Sequence, residues 1–174
     1  MNLKSLTAVF DRTVGSANNT FLQGGAPEPI YVPGHDAGEP NVIHFRDDYV
    51  SSALHEIAHW CIAGARRRRL EDYGYWYKGD RGVSEQREFE AVEARPQALE
   101  WILSNAAGVP FQVSCDNFDE KALDMTGFRR QVHKEVPRLL QRMPDRAAVF
   151  IEGLLETSGC YGALKCESYQ ELPG

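Results

Sequence analysis

Two histidines and a glutamate lie close together in the segment His55-Glu56-Ile57-Ala58-His59. On an α-helix, residues four apart project from the same face, about 6 Å apart along the axis, so both imidazoles can bind one metal ion. Glu56 is placed to reach a water molecule on that metal rather than the metal itself. The same five-residue pattern also arises by chance in buried helices, so it predicts a metal site only together with a third ligand.

A second predicted helix offers carboxylates for the third position. Glu93, 34 residues after His59, is the preferred ligand because its neighbours are apolar and its carboxylate therefore needs a partner. Gln97, one turn later, could orient one of the histidines from outside the site. Glu90 faces nearly the same way as Glu93 and remains the alternative. The helix also contains Glu85, Glu88 and Glu100, of which the first two fit a solvated face.

Other polar residues are weaker candidates. Asp116 could be a ligand or an outer contact of the site. The remaining histidines, His35, His44 and His133, are expected to be structural or exposed.

Two kinds of enzyme use such a site. In zinc hydrolases the metal lowers the pKa of bound water to about 7, and Glu56 would take its proton during attack on a carbonyl. Two histidines and one carboxylate also suit non-haem Fe(II), which activates O₂. A structural metal or a binding module fits less well, because three protein ligands leave a position vacant. The spacing alone does not separate the hydrolase from the oxygenase.

The helix that carries the motif is predicted over residues 49–65, with Asp47 or Asp48 as its N-cap. It is apolar on almost every side, which predicts burial. Buried polar side chains are costly without partners, and one metal ion would satisfy three of them at once.

The remaining elements predict a mostly helical α+β fold. An amphipathic helix covers residues 3–14, and a turn follows at residues 24–27. Short strands at 29–33 and 41–45 pair across a loop, the first at a sheet edge. A long helix over residues 84–107 contains Pro96, which should kink or split it. Helices at 120–142, kinked at Pro137, and at 145–156 precede a polar, loose tail.

These elements together predict one domain over residues 1–174, with a small N-terminal β-sheet and a zincin-like metal site between two core helices.

Composition narrows the class of partner. The net charge of −6 argues against nucleic acid as the main partner. No apolar stretch approaches the roughly 20 residues that span a membrane, and no signal peptide opens the sequence. We therefore expect a cytoplasmic protein whose four cysteines are reduced and serve as small buried hydrophobes.

Two runs allow both a structural and a functional interpretation. The run from Arg66 to Arg69 fits a solvated helix end, where cations suit the dipole, slightly better than a docking patch for an acidic partner. The aromatic run at Tyr75, Trp76 and Tyr77 fits core packing, but it could also form the wall of a pocket.

Five blocks in order along residues 28–117 resemble the bacterial elongation factor P hydroxylase family. They are Glu28-Pro29-Ile30-Tyr31-Val32-Pro33, His55-Glu56-Ile57-Ala58-His59-Trp60-Cys61-Ile62-Ala63-Gly64, Tyr73-Gly74-Tyr75-Trp76-Tyr77, Phe89-Glu90-x-Val92-Glu93-x-x-Pro96-Gln97-Ala98-Leu99, and Ala106-Ala107-Gly108-x-Pro110-Phe111-x-Val113-Ser114-Cys115-Asp116-Asn117. The N-terminal helix and the part beyond Arg129 match more loosely, and the tail departs most.

The resemblance implies a specific activity. Enzymes of this family hydroxylate the lysine of elongation factor P that already carries a β-lysyl group, with O₂ as cosubstrate. It implies a divalent metal, Fe(II) before zinc, on His55, His59 and a glutamate of the fourth block. Glu56 would then hold a metal-bound water or the cation of the substrate instead of acting as a hydrolytic base. The aromatic run would line the entry for the substrate side chain, and the arginine run would meet an acidic partner.

Overall fold

The computed structural model of the chain describes residues 1–36, 38–47, 49–74, 83–114 and 125–170. Within these ranges the chain is mostly helical and has one three-stranded sheet near its N-terminus. The predicted balance of helix and strand is therefore confirmed. Across the described residues, no helix combines the length and the apolar character that crossing a membrane requires.

The N-terminal helix α1 (Leu3–Phe10) begins at Asn2, whose side chain accepts a hydrogen bond from the Ser5 amide at 2.9 Å. This is an N-cap, which satisfies one of the orphan amides of the first turn. A π-helical turn, Asp11–Gly15, extends α1 toward the sheet. The buried face of α1 comprises Leu6, Val9 and Phe10.

The sheet consists of β1 (Thr20–Ala26), β2 (Ile30–Val32) and β3 (Asn41–Arg46), in the order β1-β3-β2. β3 pairs with β2 and β2 lies at an edge, as predicted; the pairing is antiparallel. The prediction of a turn at residues 24–27 is wrong for its first residues, because β1 continues to Ala26 and pairs in parallel with β3. The Gly25 amide donates to the Asp47 carbonyl at 2.7 Å, which joins this end of β1 to the turn after β3.

Helix α2 (Val50–Ile62) carries the histidine motif and leaves the sheet directly after β3. Its N-cap position is held by Tyr49 without a side-chain hydrogen bond, so the predicted cap by Asp47 is wrong. Asp47 has a φ of 47°, and this left-handed residue reverses the chain between strand and helix. Asp48 lies outside the described residues.

The C-terminus of α2 is fixed by an arginine from far along the chain. Arg146 donates through Nη2 to the carbonyl oxygens of Trp60 and Ala63, both at 2.7 Å, and its guanidinium lies 4.5 Å from the centre of the Trp60 ring. Arg68 donates to the same Ala63 carbonyl oxygen. Together these donors satisfy carbonyls that a helix end leaves without partners.

Three further helices complete the described part: α3 (Val83–Ala107), α4 (Thr126–Gln141) and α5 (Asp145–Ser158). Helix α3 contacts α2, α4 and α5 and lies at the centre of the fold. It is not split at Pro96, and α4 is also one helix through Pro137. A proline inside a helix costs about 3 kcal/mol, and the burial of α3 against three neighbours offsets that cost.

The tail is not loose over residues 161–169. It forms two 3₁₀ turns, Tyr161–Leu164 and Cys166–Tyr169, which pack against α3 and α4. The Tyr169 ring meets Trp101 edge-on at 4.9 Å, and the Tyr169 hydroxyl donates to the Ala163 carbonyl at 2.6 Å. The prediction of a loose tail is therefore wrong for these residues.

The cysteines divide by burial. Cys61 is buried, as predicted, whereas Cys160 is half-buried and Cys166 is exposed. All three are free thiols, and Cys115 lies outside the described residues.

Candidate metal centre

Helices α2 and α3 bring three potential ligands to one point. His55 and His59 lie one turn apart on α2, with ring centres separated by 4.7 Å. Their Nε2 atoms are 3.1 Å apart. Glu93 Oε2 reaches in from α3, 3.2 Å from His59 Nε2 and 3.7 Å from His55 Nε2. Three lone-pair atoms from three side chains thus face one small volume.

These distances fit a single divalent ion. Zinc and similar metals bind nitrogen and oxygen at about 2.0–2.2 Å. Two ligands of one ion then lie about 3.0–3.5 Å apart in tetrahedral or octahedral geometry. Two edges of the observed triangle fall in that range and the third is slightly longer. Two imidazoles and one carboxylate suit both zinc and non-haem iron.

The structure distinguishes between the two glutamates proposed from the sequence. Glu93 is buried, with 3% of its surface exposed, and its carboxylate joins the two histidines. Glu90, one turn earlier, is half-buried and is not part of this cluster. Glu88 is exposed, as expected for a solvated face.

A fourth residue, the carboxylate Glu100, supports the site from behind. Glu100 Oε2 lies 2.8 Å from His55 Nδ1, and Glu100 is only 6% exposed. When Nδ1–H donates to this carboxylate, the lone pair of His55 is left on Nε2, the atom that faces Glu93 and His59. This role of Glu100 was not predicted from the sequence. The signal was present in the spacing, because Glu100 lies seven residues after Glu93 and therefore on the same helix face.

Gln97 does not orient a histidine, so this prediction is wrong. Its amide nitrogen donates to the Ser114 carbonyl at 2.7 Å, and its amide oxygen accepts from the Ser114 amide at 3.1 Å. Gln97 therefore holds the segment after α3 against the helix. A glutamine amide can both donate to and accept from the backbone of one residue. These two hydrogen bonds occupy the side chain that was predicted to orient a histidine of the metal site.

The pKa values of His55 and Glu56 depend on burial and on the charges of the neighbouring side chains. Burial of the His55 ring opposes a positive charge, but nearby carboxylates, led by Glu100, outweigh burial and raise the pKa of His55 to about 10. Glu56 is 7% exposed, and burial raises its pKa although both histidines act in the opposite direction. Glu56 is therefore a carboxyl group beside the candidate ligands, and it can take up a proton more readily than an exposed carboxyl group.

Asp72 is a further acidic residue near the site that the sequence did not single out. It lies in a 3₁₀ turn, Glu71–Gly74, with a left-handed φ of 50°. Burial raises its pKa, His59 opposes that effect and Glu93 adds to it. No residue pattern marks such a turn, so only the fold reveals its position.

The other sequence candidates lie elsewhere. His35 is exposed and His44 is half-buried on β3. His133 is structural, with Nε2 at 2.6 Å from the Tyr169 carbonyl oxygen. Asp116, Tyr75, Trp76 and Tyr77 lie outside the described residues.

Two half-buried histidines and a buried glutamate on facing helices form a candidate metal site in a protein of mixed α and β structure, and comparison with known proteins identifies the family. Residues 9–168 match the family of elongation factor P hydroxylase. The chain therefore belongs to this family, as its sequence blocks indicated. It is also 43% identical over 155 residues to the elongation factor P lysine hydroxylase of Haemophilus influenzae strain Rd, a match that covers 88% of this chain and 87% of that protein.

Proposed function

We propose that this enzyme hydroxylates a lysine residue of elongation factor P that already carries a β-lysyl group. The observation that carries the proposal is the convergence of His55, His59 and Glu93 in a chain that is 43% identical to an elongation factor P lysine hydroxylase. The β-lysyl group is implied by the family resemblance. We further propose that the protein acts in the cytoplasm and needs no nucleic acid.

A divalent metal completes the site, with His55, His59 and Glu93 as its ligands. We favour Fe(II) over zinc, because a metal with two histidines, one carboxylate and open positions supplies the activation of O₂ that a hydroxylation needs. The arrangement is zincin-like in that one helix supplies two histidines and a facing helix supplies the carboxylate.

Residues in and around the site orient a ligand, limit contact with water and take up protons. Glu100 holds the His55 ring so that Nε2 faces the metal position. Because Glu93 is buried, little water contacts its carboxylate, and the negative charge of the carboxylate is directed at the proposed metal position. Glu56 is the proposed catalytic residue, which holds a water molecule or the cationic end of the substrate. Its raised pKa also lets it take up a proton from either group.

The alternative is a zinc-dependent peptidase or hydrolase of the His-Glu-x-x-His type. The motif alone allows it, but the family and the relative described above are hydroxylases. We therefore do not favour it.

Mass spectrometry of the substrate tests the proposal. We expect β-lysylated elongation factor P to gain the mass of one oxygen atom when incubated with the protein, Fe(II), O₂ and a chemical reductant, which supplies the two electrons that reduce the second oxygen atom to water. The variants His59→Ala and Glu93→Ala should lose both the bound metal and the mass gain. Glu88→Ala, a substitution at an exposed position of the same helix, is the matched control and should retain both.

Strict dependence on zinc, or no oxygen gain with any metal, would refute the proposal. Loss of metal in Glu90→Ala with retention in Glu93→Ala would move the ligand to Glu90.

A further inference from the structure

We propose that Arg66, Arg67 and Arg69 form a docking surface for an acidic region of the protein substrate, next to the metal centre. These three side chains form the arginine surface. The inference rests on the proposed function, since it concerns how the protein substrate is recognised.

The arginine surface is a local exception in an acidic chain. The protein contains 19 lysines and arginines against 25 aspartates and glutamates, and its net charge is −6. Four consecutive arginines in such a chain concentrate positive charge at one place. A concentrated patch attracts an oppositely charged partner in a way that scattered charges do not.

Only one of the four arginines is turned toward the protein interior. Arg68 is half-buried and donates to the Ala63 carbonyl oxygen at the end of α2. Arg66, Arg67 and Arg69 are exposed. Among the described residues, neither Arg66 nor Arg69 forms an ion pair. Capping of α2 therefore accounts for Arg68, whereas the charges of Arg66 and Arg69 face solvent.

The backbone of the surface is fixed in place. The 3₁₀ turn Arg67–Arg69 is closed by a hydrogen bond of 3.0 Å from the Leu70 amide to the Arg67 carbonyl. The Arg68 carbonyl oxygen accepts from the buried Tyr31 hydroxyl, also at 3.0 Å, which joins the turn to β2. A surface on a fixed backbone loses less conformational entropy on binding than a loop would. Leu70, 51% exposed, adds an apolar side chain at its margin.

In the amino-acid sequence, residues at or near the candidate metal centre both precede and follow the arginine surface. Before it, the Ala63 amide closes α2 by donating to the carbonyl of His59, one of the proposed ligands. After it comes Asp72, on which the charges of His59 and Glu93 act. A partner seated on these arginines would thus contact the segment that directly follows the helix carrying both histidines.

The chemistry favours an acidic protein over nucleic acid. Guanidinium groups pair with carboxylates and phosphates alike. Three arginines would neutralise few phosphates, and the net charge of the chain repels a polyanion. A cluster of carboxylates on a folded substrate needs only a small patch of this kind.

The test removes two charges without touching the cap. We compare Arg66→Gln/Arg69→Gln with Arg130→Gln/Arg142→Gln, a control that makes the same charge change at exposed positions of α4 and the residue after it. KM for elongation factor P should rise about three- to tenfold in the first variant, as expected for two exposed ion pairs, while kcat and metal content stay unchanged. Its KM should also respond less to added salt than that of the wild type. The control should behave like the wild type.

Equal KM values and equal salt dependence in the two variants and the wild type would overturn the inference. A loss of affinity for single-stranded RNA in the first variant, with unchanged KM for the protein, would assign the surface to nucleic acid and also overturn it. If the wild type adds no oxygen to elongation factor P, the proposed function fails by itself. Docking is then decided by the dissociation constants of the same variants for elongation factor P, which require no turnover.

Discussion

The contact between Glu100 and His55 determines which nitrogen of His55 faces the metal position. With Glu100 Oε2 at 2.8 Å from Nδ1, the carboxylate fixes both the ring orientation and the tautomer. Removing such a partner commonly lowers metal affinity or activity about 10- to 100-fold. We therefore expect Glu100→Gln to bind divalent metal about tenfold or more weakly than the wild type, measured by competition with a metal indicator.

The matched control for this change is Glu88→Gln on the same helix. Glu88 is exposed and lies outside the cluster, so its affinity for metal should equal that of the wild type. Equal affinities in Glu100→Gln and Glu88→Gln would show that Glu100 does not position His55.

Metal binding should release a proton. The carboxylates around His55 raise its pKa from 6.5 to about 10, so we expect the metal-free ring to carry a proton at pH 8 and to lose it when Nε2 binds a metal. Affinity for Zn²⁺ should therefore increase as the pH rises, by up to about tenfold per unit. Calorimetry in two buffers with different ionisation enthalpies should give close to one proton per metal at pH 8. A value near zero would contradict the protonated state.

At the residue scale, the sequence predicted the three side chains that meet at the candidate metal site. It did not predict which residue orients them. Glu93 was preferred over Glu90 because its apolar neighbours required its burial, and the structure buries it. Gln97 was assigned to a histidine, yet it pairs with the Ser114 backbone. Helical periodicity gives the face on which a residue lies. It does not give the element that packs against that face, so the partner could not be predicted.

At the element scale, the position of α2 depends on contacts that are distant in sequence. Arg146 of α5 holds the carbonyls of Trp60 and Ala63, 86 and 83 residues away. Such a bond satisfies buried acceptors, which would each cost about 1–3 kcal/mol if left without a donor. Local sequence predicted that α2 exists and is buried. Its end at Ile62, three residues before the predicted end, is set by this distant arginine and by Arg68.

The packing of α5 against the N-terminal helix depends on Gly153. A Cβ atom at this position would lie 2.6 Å from Thr13 Cγ2 and 3.1 Å from Val9 Cγ1. Both neighbours belong to closely packed turns, so relief requires the elements to move. We expect Gly153→Ala to lower the free energy of unfolding by about 1–3 kcal/mol, measured by urea denaturation.

Gly127→Ala is the control for helix propensity. Gly127 is the second residue of α4, and a Cβ there would meet nothing within 4 Å. This substitution should raise stability by roughly 0.5 kcal/mol, because alanine loses less backbone entropy on folding. If both variants are stabilised, the space around Gly153 is larger than the contact distances indicate.

At the scale of the whole molecule, the predicted elements and the pairing of β2 with β3 were mostly right, but two contacts between distant segments were not predicted. The parallel pairing of β1 with β3 was missed because the glycines at 24 and 25 are typical of turns. The docking of the tail was missed because its residues are polar on average. Both features depend on partners more than 15 residues away, Arg46 for the end of β1 and Trp101 for Tyr169. Local composition therefore contained no signal for either.

The docked tail leads to the last prediction. Tyr169 is 4% exposed, packs edge-on against Trp101 and donates to Ala163, while its carbonyl oxygen contacts His133. Truncating a buried aromatic side chain costs about 3–5 kcal/mol. Tyr161→Ala is the control, since Tyr161 is 62% exposed and its loss should cost less than about 0.5 kcal/mol.

Urea denaturation of the two tyrosine variants measures this difference, and metal affinity measured alongside shows how far the effect extends. Trp101 directly follows Glu100 in α3, so a change at Tyr169 acts on the helix that supplies Glu93 and Glu100 to the metal centre. We expect Tyr169→Ala to lose stability with a smaller loss of metal affinity than Glu100→Gln, because the histidine contact itself remains. Equal stability of Tyr169→Ala and Tyr161→Ala would show that the tail contributes nothing to the core, and α3 would then depend on its helical neighbours alone.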